Sequence, residues 1–172
     1  GLGDVYKRQR LQMIANRFSK IGSIPELEDA DLKALLERVT DYIAHRTSDK
    51  VKISTHVPDS LPPVRLNVAL FEWVIENLCK NAVDAMGGVG VLVISVQETS
   101  RYWCIDVADT GKGIDKRYFE TVFAPGYTTK KRGWGLGLSL ARRIVVEYHS
   151  GSIFVKQSEI NKGTIFRIEL KK

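Results

Sequence analysis

Two asparagines, Asn77 and Asn81, stand one helical turn apart in a stretch whose apolar residues recur with the helical period. At 100° per residue, Phe71, Val74, Ile75, Leu78, Ala82 and Ala85 gather into one apolar stripe. Asn77, Asn81 and Asp84 fall on one border of that stripe, while Glu72, Glu76 and Lys80 fall on the opposite flank. Asparagine is a poor residue for a helix interior, so two of them beside a buried stripe point to carbonyl oxygens kept for a ligand. Mg²⁺ suits such a site, because it takes one or two protein oxygens, retains several waters and fills its remaining positions with phosphate oxygens. Glu76 and Lys80 read instead as a surface i,i+4 ion pair.

A second group is Asp109-Thr110-Gly111-Lys112-Gly113, directly after a run with strand character. A carboxylate fixed at a strand end can accept a hydrogen bond from an exocyclic amine, and the glycines let backbone approach a flat ring; a tight turn after an edge strand is the plainer alternative. A third group, Gly133-Trp134-Gly135-Leu136-Gly137, opens a helix whose first N–H groups have no intrahelical partner. Free donors at the positive end of a helix dipole attract phosphate. The segment is neither a Walker loop, since Gly-xxxx-Gly-Lys-Ser/Thr is absent, nor a Rossmann fingerprint, since its spacing is GxGxG and no strand precedes it.

The elements that must position these groups follow from periodicity. Residues 1–9 show none and are expected to be a non-native or disordered leader. Leu11, Ile14, Phe18 and Ile21 recur at helical spacing and stop at Gly22, predicting a short helix that resembles the tail of a longer one. Residues 23–30 read as linker. Asp29 or Asp31 then caps a helix with a Leu32, Leu35, Leu36, Val39, Ile43 face. Val51, Ile53, Thr55 and Val57 alternate as in a half-buried strand, and residues 58–63 form a proline-bounded loop. A helix over about 67–86 ends at Gly87-Gly88, residues 91–97 and 102–108 form a hairpin, a helix runs from Gly137 to about Tyr148, and residues 153–157 and 164–170 make two closing strands. Runs of helix followed by strands predict an α/β sandwich, with helices on one face of a mixed sheet and residues 31–172 as the main domain.

Taken in order, Asn77/Asn81, Asp109/Gly111/Gly113 and Gly133/Gly135/Gly137 resemble the boxes of the nucleotide-binding fold shared by gyrase, Hsp90, MutL and the histidine kinases. The histidine kinase branch is the nearest match: Asn77-Leu-Cys-Lys-Asn81-Ala is similar to its asparagine box, the Asp109 and Gly137 segments to its two glycine boxes, and Phe119 and Phe123 to its phenylalanine box. The resemblance covers roughly residues 31–170 and implies a Bergerat-type two-layer sandwich with a mostly antiparallel sheet. It implies that Asp109 reads the adenine amino group, that Asn81 coordinates Mg²⁺ with Asn77 beside it, and that Thr164 supports Asp109. It further implies nucleotide contacts from Asp84, Gly111, Gly113, Ile114, Phe123, Thr128, Thr129, Gly133, Gly135, Leu136, Gly137 and Leu138. Residues 119–132 would be a mobile lid, with Lys130 and Arg132 near the terminal phosphate. ATP or ADP with Mg²⁺ is the implied cofactor.

ATP-hydrolysing branches of the superfamily carry a glutamate at the position of Asn77, and an amide cannot act as a general base. Strong hydrolysis is therefore not expected, whereas phosphoryl transfer needs mainly positioning and charge neutralisation. The acceptor in a histidine kinase is an imidazole on a dimerisation hairpin, usually followed by an acidic residue. His45, His56 and His149 are followed by Arg, Val and Ser and read as structural, His149 at a helix C-terminus where a cation is favoured. Residues 10–22 would be the last turns of that hairpin, so the chain is expected to bind ATP without phosphorylating itself. The alternatives on the same boxes are a serine kinase of the anti-sigma or mitochondrial type, and a binding module without activity.

Composition agrees with such a domain. The chain has 172 residues, 44% of them hydrophobic and 27% charged, enough for one core and unlike a disordered chain. No apolar run could span a bilayer, and a cytoplasmic location is expected, with no direct membrane contact. The net charge of +6 suits a polyanionic ligand, and Lys130-Lys131-Arg132, beside the glycine-rich segment, is assigned to phosphate rather than to nucleic acid. Cys79 and Cys104 read as free buried thiols. The expected partners are the hairpin of the parent kinase and a response regulator downstream, with the chain itself monomeric or weakly dimeric.

Overall fold

The structure, a computed structural model, describes residues 25–128 and 137–172, with residues 1–3, 5, 6 and 9 of the leader. The expected helix over residues 11–21 lies outside the described residues. Asp31 caps α1 (Leu32–His45), its carboxylate accepting the Ala34 N–H at 3.0 Å, and the whole predicted Leu32, Leu35, Leu36, Val39, Ile43 face is buried. Asn67 caps α2 (Val68–Met86), which ends on Gly87 in the left-handed conformation, φ 63°. A third helix, α3 (Gly137–Arg143), continues as a π-turn over Ile144–Tyr148.

Five strands form the main sheet: β2 (Val51–His56), β4 (Gly90–Glu98), β5 (Tyr102–Asp109), β6 (Ser152–Glu159) and β7 (Gly163–Lys171), in the order β2-β4-β5-β7-β6. Only the β2–β4 pair is parallel; the rest are antiparallel. The period of two sorts the side chains cleanly. Leu92, Ile94, Val96, Trp103, Ile105, Val107, Phe166, Ile168 and Leu170 are buried together with the helices. The neighbours of alternate parity occupy the other face, where Arg167 grips its register partner Asp106 with two bonds of 2.7 and 2.8 Å. The result is the two-layer sandwich the sequence predicts, with a mixed, mostly antiparallel sheet.

Three features differ from the sequence reading. Residues 28–30, expected as linker, form β1 (Glu28–Ala30), which pairs antiparallel with β3 (Val64–Leu66) in a separate two-stranded ribbon. Three-residue strands are too short for alternation to reveal. The flank bearing Glu72, Glu76 and Lys80 does not face solvent but α1. Glu72 accepts two bonds from Arg38, and Lys80 lies 5.8 Å from the Tyr42 ring while pairing with Glu76 at 3.1 Å. Glu76 is only 7% exposed, so the expected surface pair is instead an intrahelical pair set into the α1–α2 interface. Beside it, burial and then the Glu76 charge push the Cys79 thiol up to about 12, which makes Cys79 inert packing.

His149 is the third correction. It is buried and neutral rather than a cation at a helix end. Its Nε2 accepts the Asn67 backbone N–H at 3.1 Å, so the proton sits on Nδ1, which faces the Ile144 carbonyl at 2.9 Å. Burial lowers its pKa below the ordinary histidine value, against the opposing effect of that carbonyl. A depressed folded-state pKa contributes stability that is complete above the unfolded value and is lost as pH falls through the folded one. Thermal unfolding measured between about pH 7.5 and 5 should therefore show a larger loss of Tm for the wild type than for His149→Gln, whose amide does not titrate; parallel curves would refute this account.

Candidate functional site: a nucleotide cleft along α2

The C-terminal half of α2 is the wall on which the three motifs meet. Asn77 lies against the first residue of α3: a Cβ on Gly137 would sit 2.6 Å from Asn77 Oδ1 and 3.0 Å from Nδ2. Eight residues further along, the Lys112 N–H donates to the Ala85 carbonyl at 2.9 Å, and a Cβ on Gly111 would stand 2.6 Å from the same oxygen. Asn77 and Ala85 are about 12 Å apart along the axis, so one short helical face meets both glycine segments. Asn81 is half-buried between them, and Asp84, a turn from the helix end, is exposed.

The Asp109 loop is fixed by its register. Asp109 pairs with Thr164 across β5 and β7, and Gly163 comes so close that a Cβ there would overlap the Asp109 carbonyl. The Asp109 carboxylate accepts the Gly111 N–H at 2.8 Å. Burial raises its pKa above the ordinary carboxylate value, and the N–H groups of Gly111 and Thr164 pull it back down. Thr164 thus supports Asp109 through its backbone. Its hydroxyl turns to Ser158, 2.7 Å away. Ser158 Oγ also donates to the Gly163 carbonyl at 3.0 Å and accepts the Ile114 N–H at 2.7 Å, so the Thr164 hydroxyl is the donor in their shared bond. Gly113 has φ 78° and abuts the Glu159 carbonyl, a conformation and a closeness that require glycine.

Sequence reasoning missed Ser158. The register shift between Val155 and Gln157 brings it beneath the loop, and nothing in an isolated strand pattern reveals a bulge.

Phe123 is buried, edge-on to Phe166 at 6.0 Å with the Arg142 guanidinium 5.3 Å from its ring, and Arg142 pairs with Glu120 at 3.3 Å. It anchors the segment after β5 to the core and to α3. Phe119, Ile114 and Leu138 are half-buried against the same core, and Thr128 is exposed. Thr129, Lys130, Arg132, Gly133, Gly135 and Leu136 lie outside the described residues.

The donor set tests whether a magnesium nucleotide fits. Asn77 Nδ2 is buried and has no hydrogen-bond partner among the described residues. A buried amide left unpaired costs about 1–3 kcal/mol, a cost removed by an incoming phosphate oxygen. Its carbonyl, with that of Asn81 one turn on, is the hard oxygen chemistry that Mg²⁺ prefers. No group of three or more His, Cys, Asp or Glu side chains suited to a metal is present among the described residues.

A two-layer sandwich with its motifs gathered along one helix defines a nucleotide-binding domain of the Bergerat type. The family profile described as histidine kinase-, DNA gyrase B- and HSP90-like ATPase matches residues 67–172, and the chain belongs to that family as a histidine kinase-type ATPase catalytic domain. The sensor histidine kinase ZraS of Escherichia coli K12 is 32% identical over 145 residues, covering 84% of this chain and 31% of that protein. Sporulation kinase D of Bacillus subtilis strain 168 is 39% identical over 167 residues, covering 94% and 32%. The solved catalytic domain of the histidine kinase ThkA superposes with a TM-score of 0.77 at 27% identity, covering 86% of this chain and 97% of that one. The chain spans about a third of the length of these curated relatives. No described helix is long and apolar enough to cross a membrane.

The close approach at Gly111 is directly testable. Gly111→Ala must push the loop off Ala85 and is expected to cost about 1–3 kcal/mol in chemical denaturation. Gly87→Ala, whose Cβ would meet nothing within 4 Å, serves as the control and carries only the penalty of its positive φ. An unchanged stability for Gly111→Ala would mean that the loop does not rest on the helix as described.

Proposed function

We propose that this domain binds Mg-ATP and donates the γ-phosphate to a histidine on the dimerisation hairpin of a two-component sensor kinase. The observation that carries the reading is the meeting of Asn77 with Gly137 and of Ala85 with Gly111 and Lys112 on one face of α2. In this reading Asp109, held at the end of β5, accepts a hydrogen bond from the adenine amino group. Asn81 and Asn77 supply amide oxygens toward the metal, whose role when bound is to neutralise phosphate charge. Gly111, Gly113, Ile114, Gly137 and Leu138 line the nucleotide, and Thr164 steadies Asp109. Lys130 and Arg132, from the segment joining Thr128 to Gly137, approach the terminal phosphate.

The chain's own residues favour transfer over hydrolysis. Asn77 offers no general base. Glu76, the carboxylate next to it in sequence, is held by Lys80 in the α1–α2 interface. None of the three histidines suits the acceptor role: His149 is buried in two hydrogen bonds, His45 Nδ1 engages the Asp41 carbonyl, and His56 lies in β2. In this reading the acceptor imidazole belongs to the hairpin of the parent kinase, and its phosphoryl group then passes to a response regulator. Histidine kinases among the relatives favour this reading over a serine kinase on the same fold.

Isothermal titration with ADP and Mg²⁺ tests the binding step. Asp109→Asn, which turns the acceptor toward a poor match for an amine, is expected to weaken binding about tenfold or more, since a hydrogen bond to a charged group contributes about 1.5–3 kcal/mol. Asn81→Ala should weaken ADP binding in the presence of Mg²⁺ and leave metal-free binding within about twofold. Equal affinities for wild type and Asp109→Asn would sink the adenine assignment. With γ-labelled ATP, the chain alone should acquire no label, while its addition to the parent's hairpin should yield an acid-labile, base-stable phosphate. An acid-stable ester would point to the serine kinase reading instead.

A further inference from the structure

Asn67 uses all of its hydrogen-bonding groups on three separate parts of the chain. Its Oδ1 accepts the Leu70 N–H at 3.1 Å, capping α2. That acceptor role fixes the amide orientation, so Nδ2 is the group that donates to the Glu26 carbonyl at 3.1 Å. Its backbone N–H donates to His149 Nε2 at 3.1 Å. One residue thus joins the segment arriving before β1, the start of the helix that carries Asn77 and Asn81, and the end of the π-turn that continues α3.

Each arm of the junction is reinforced. On the incoming side, Arg65, two residues before Asn67, donates to the Leu27 carbonyl at 3.0 Å and pairs with Asp29 at 3.5 Å, while β1 pairs residue by residue with β3. On the other side, the His149 ring lies 5.5 Å from Phe71, which is fully buried, and Nδ1 binds the Ile144 carbonyl at the start of the π-turn. α2 and α3 are consequently joined at two places. Asn67 meets His149 at one end, and Asn77 meets Gly137 at the other, about 15 Å further along α2. The helices run antiparallel, and their spacing at the cleft is set by the spacing at the junction.

We propose that Asn67 and His149 are positioning residues for the nucleotide cleft, coupling the segment at residues 25–30 to the placement of Gly137 against Asn77. The proposal deepens the nucleotide-binding reading and rests on it for its binding arm. The mechanism is mechanical: a shift of residues 25–30 pulls on Glu26 and β1, Asn67 moves with them, and His149 carries the displacement into α3. The stretch matched by the family profile begins at Asn67 itself.

Three variants of the full chain test this. His149→Phe keeps the ring on Phe71 and loses both bonds; His149→Gln keeps an acceptor and a donor; Asn67→Asp keeps the cap oxygen, loses the donor to Glu26 and sets a carboxylate oxygen against that carbonyl. His149→Phe is expected to weaken Mg-ADP binding about five- to tenfold, within the usual range for coupled sites, with His149→Gln restoring it to within about twofold. Asn67→Asp should weaken it about threefold, and the double variant should fall short of the product of the two, as for residues acting through one contact. Hydrogen exchange without nucleotide should quicken in residues 137–143 for His149→Phe and in residues 25–30 for Asn67→Asp. A lowered Tm with unchanged Mg-ADP affinity and unchanged exchange in residues 137–143 would reduce His149 to a structural part and overturn the proposal. If wild-type protein fails to bind Mg-ADP, the nucleotide reading fails, and the exchange arm still decides the coupling. If His149→Phe does not fold, unchanged exchange in residues 25–30 and unchanged affinity in Asn67→Asp overturn it.

Discussion

The contact between Asn77 and Gly137 is the constraint around which the site is arranged. An amide side chain occupies the space that any Cβ at residue 137 would need, so the two helices approach as closely as backbone allows. That closeness is possible only because α2 is buried on several sides. Leu70, Trp73 and Cys79 are covered in addition to the stripe that faces the core, with α1 on one flank and α3 on the other. A helix held this firmly can keep a buried amide nitrogen without a partner among the described residues, a cost that an isolated helix could not sustain. The orphaned group and the tight packing are two aspects of one arrangement.

Much of this was legible in the sequence, and for identifiable reasons. The α1 face was read residue for residue, because fourteen residues sample the helical period well. The β4–β5 hairpin and the closing strands were equally clear from alternation. The meeting of the three motifs came from the order of boxes resembling a known family rather than from periodicity, which says nothing about which helix face meets which loop. What escaped was tertiary. The ribbon of β1 and β3 has three residues per strand, and the polar flank of α2 looked solvent-exposed because nothing local announces that Arg38 and Tyr42 of α1 lie opposite. His149 was misread for the same cause. A helix-end histidine favours the cation only while it is hydrated, and burial between Phe71 and Asn67 reverses that preference.

The end of the site proposed to hold adenine depends on a different kind of precision. Asp109 and Thr164 are register partners, and the Ser158 hydroxyl ties the strand-end loop to the β6–β7 turn through three bonds. The bulge between Val155 and Gln157 is what allows this, since an unbroken ladder would leave Ser158 in a different relation to Thr164. The irregularity in β6 therefore belongs to the site as much as Asp109 does. On the outer face, Asp106 is satisfied by Arg167, so the other buried carboxylate of β5 is spent on holding strands together. Neighbouring acids on one strand are assigned opposite tasks by the face on which they lie.

These two ends explain how a domain without a general base can serve catalysis. Phosphoryl transfer makes small demands on covalent chemistry and large ones on placement and charge. An amide at residue 77, instead of a carboxylate, would leave a terminal phosphate bound there without an activated water nearby. Glu76 does not compensate, because rotating it toward the cleft would abandon Lys80 and expose a buried charge to apolar surroundings. On the proposed reading, the domain holds its nucleotide intact until a nucleophile arrives on another element. Waiting of this kind is useful only if the cleft keeps its shape in the meantime, which is the task proposed for the joints at both ends of α2 and α3. On the coupling proposed above, a loose junction at Asn67 would leave the glycine-opened helix held against Asn77 by side-chain packing alone.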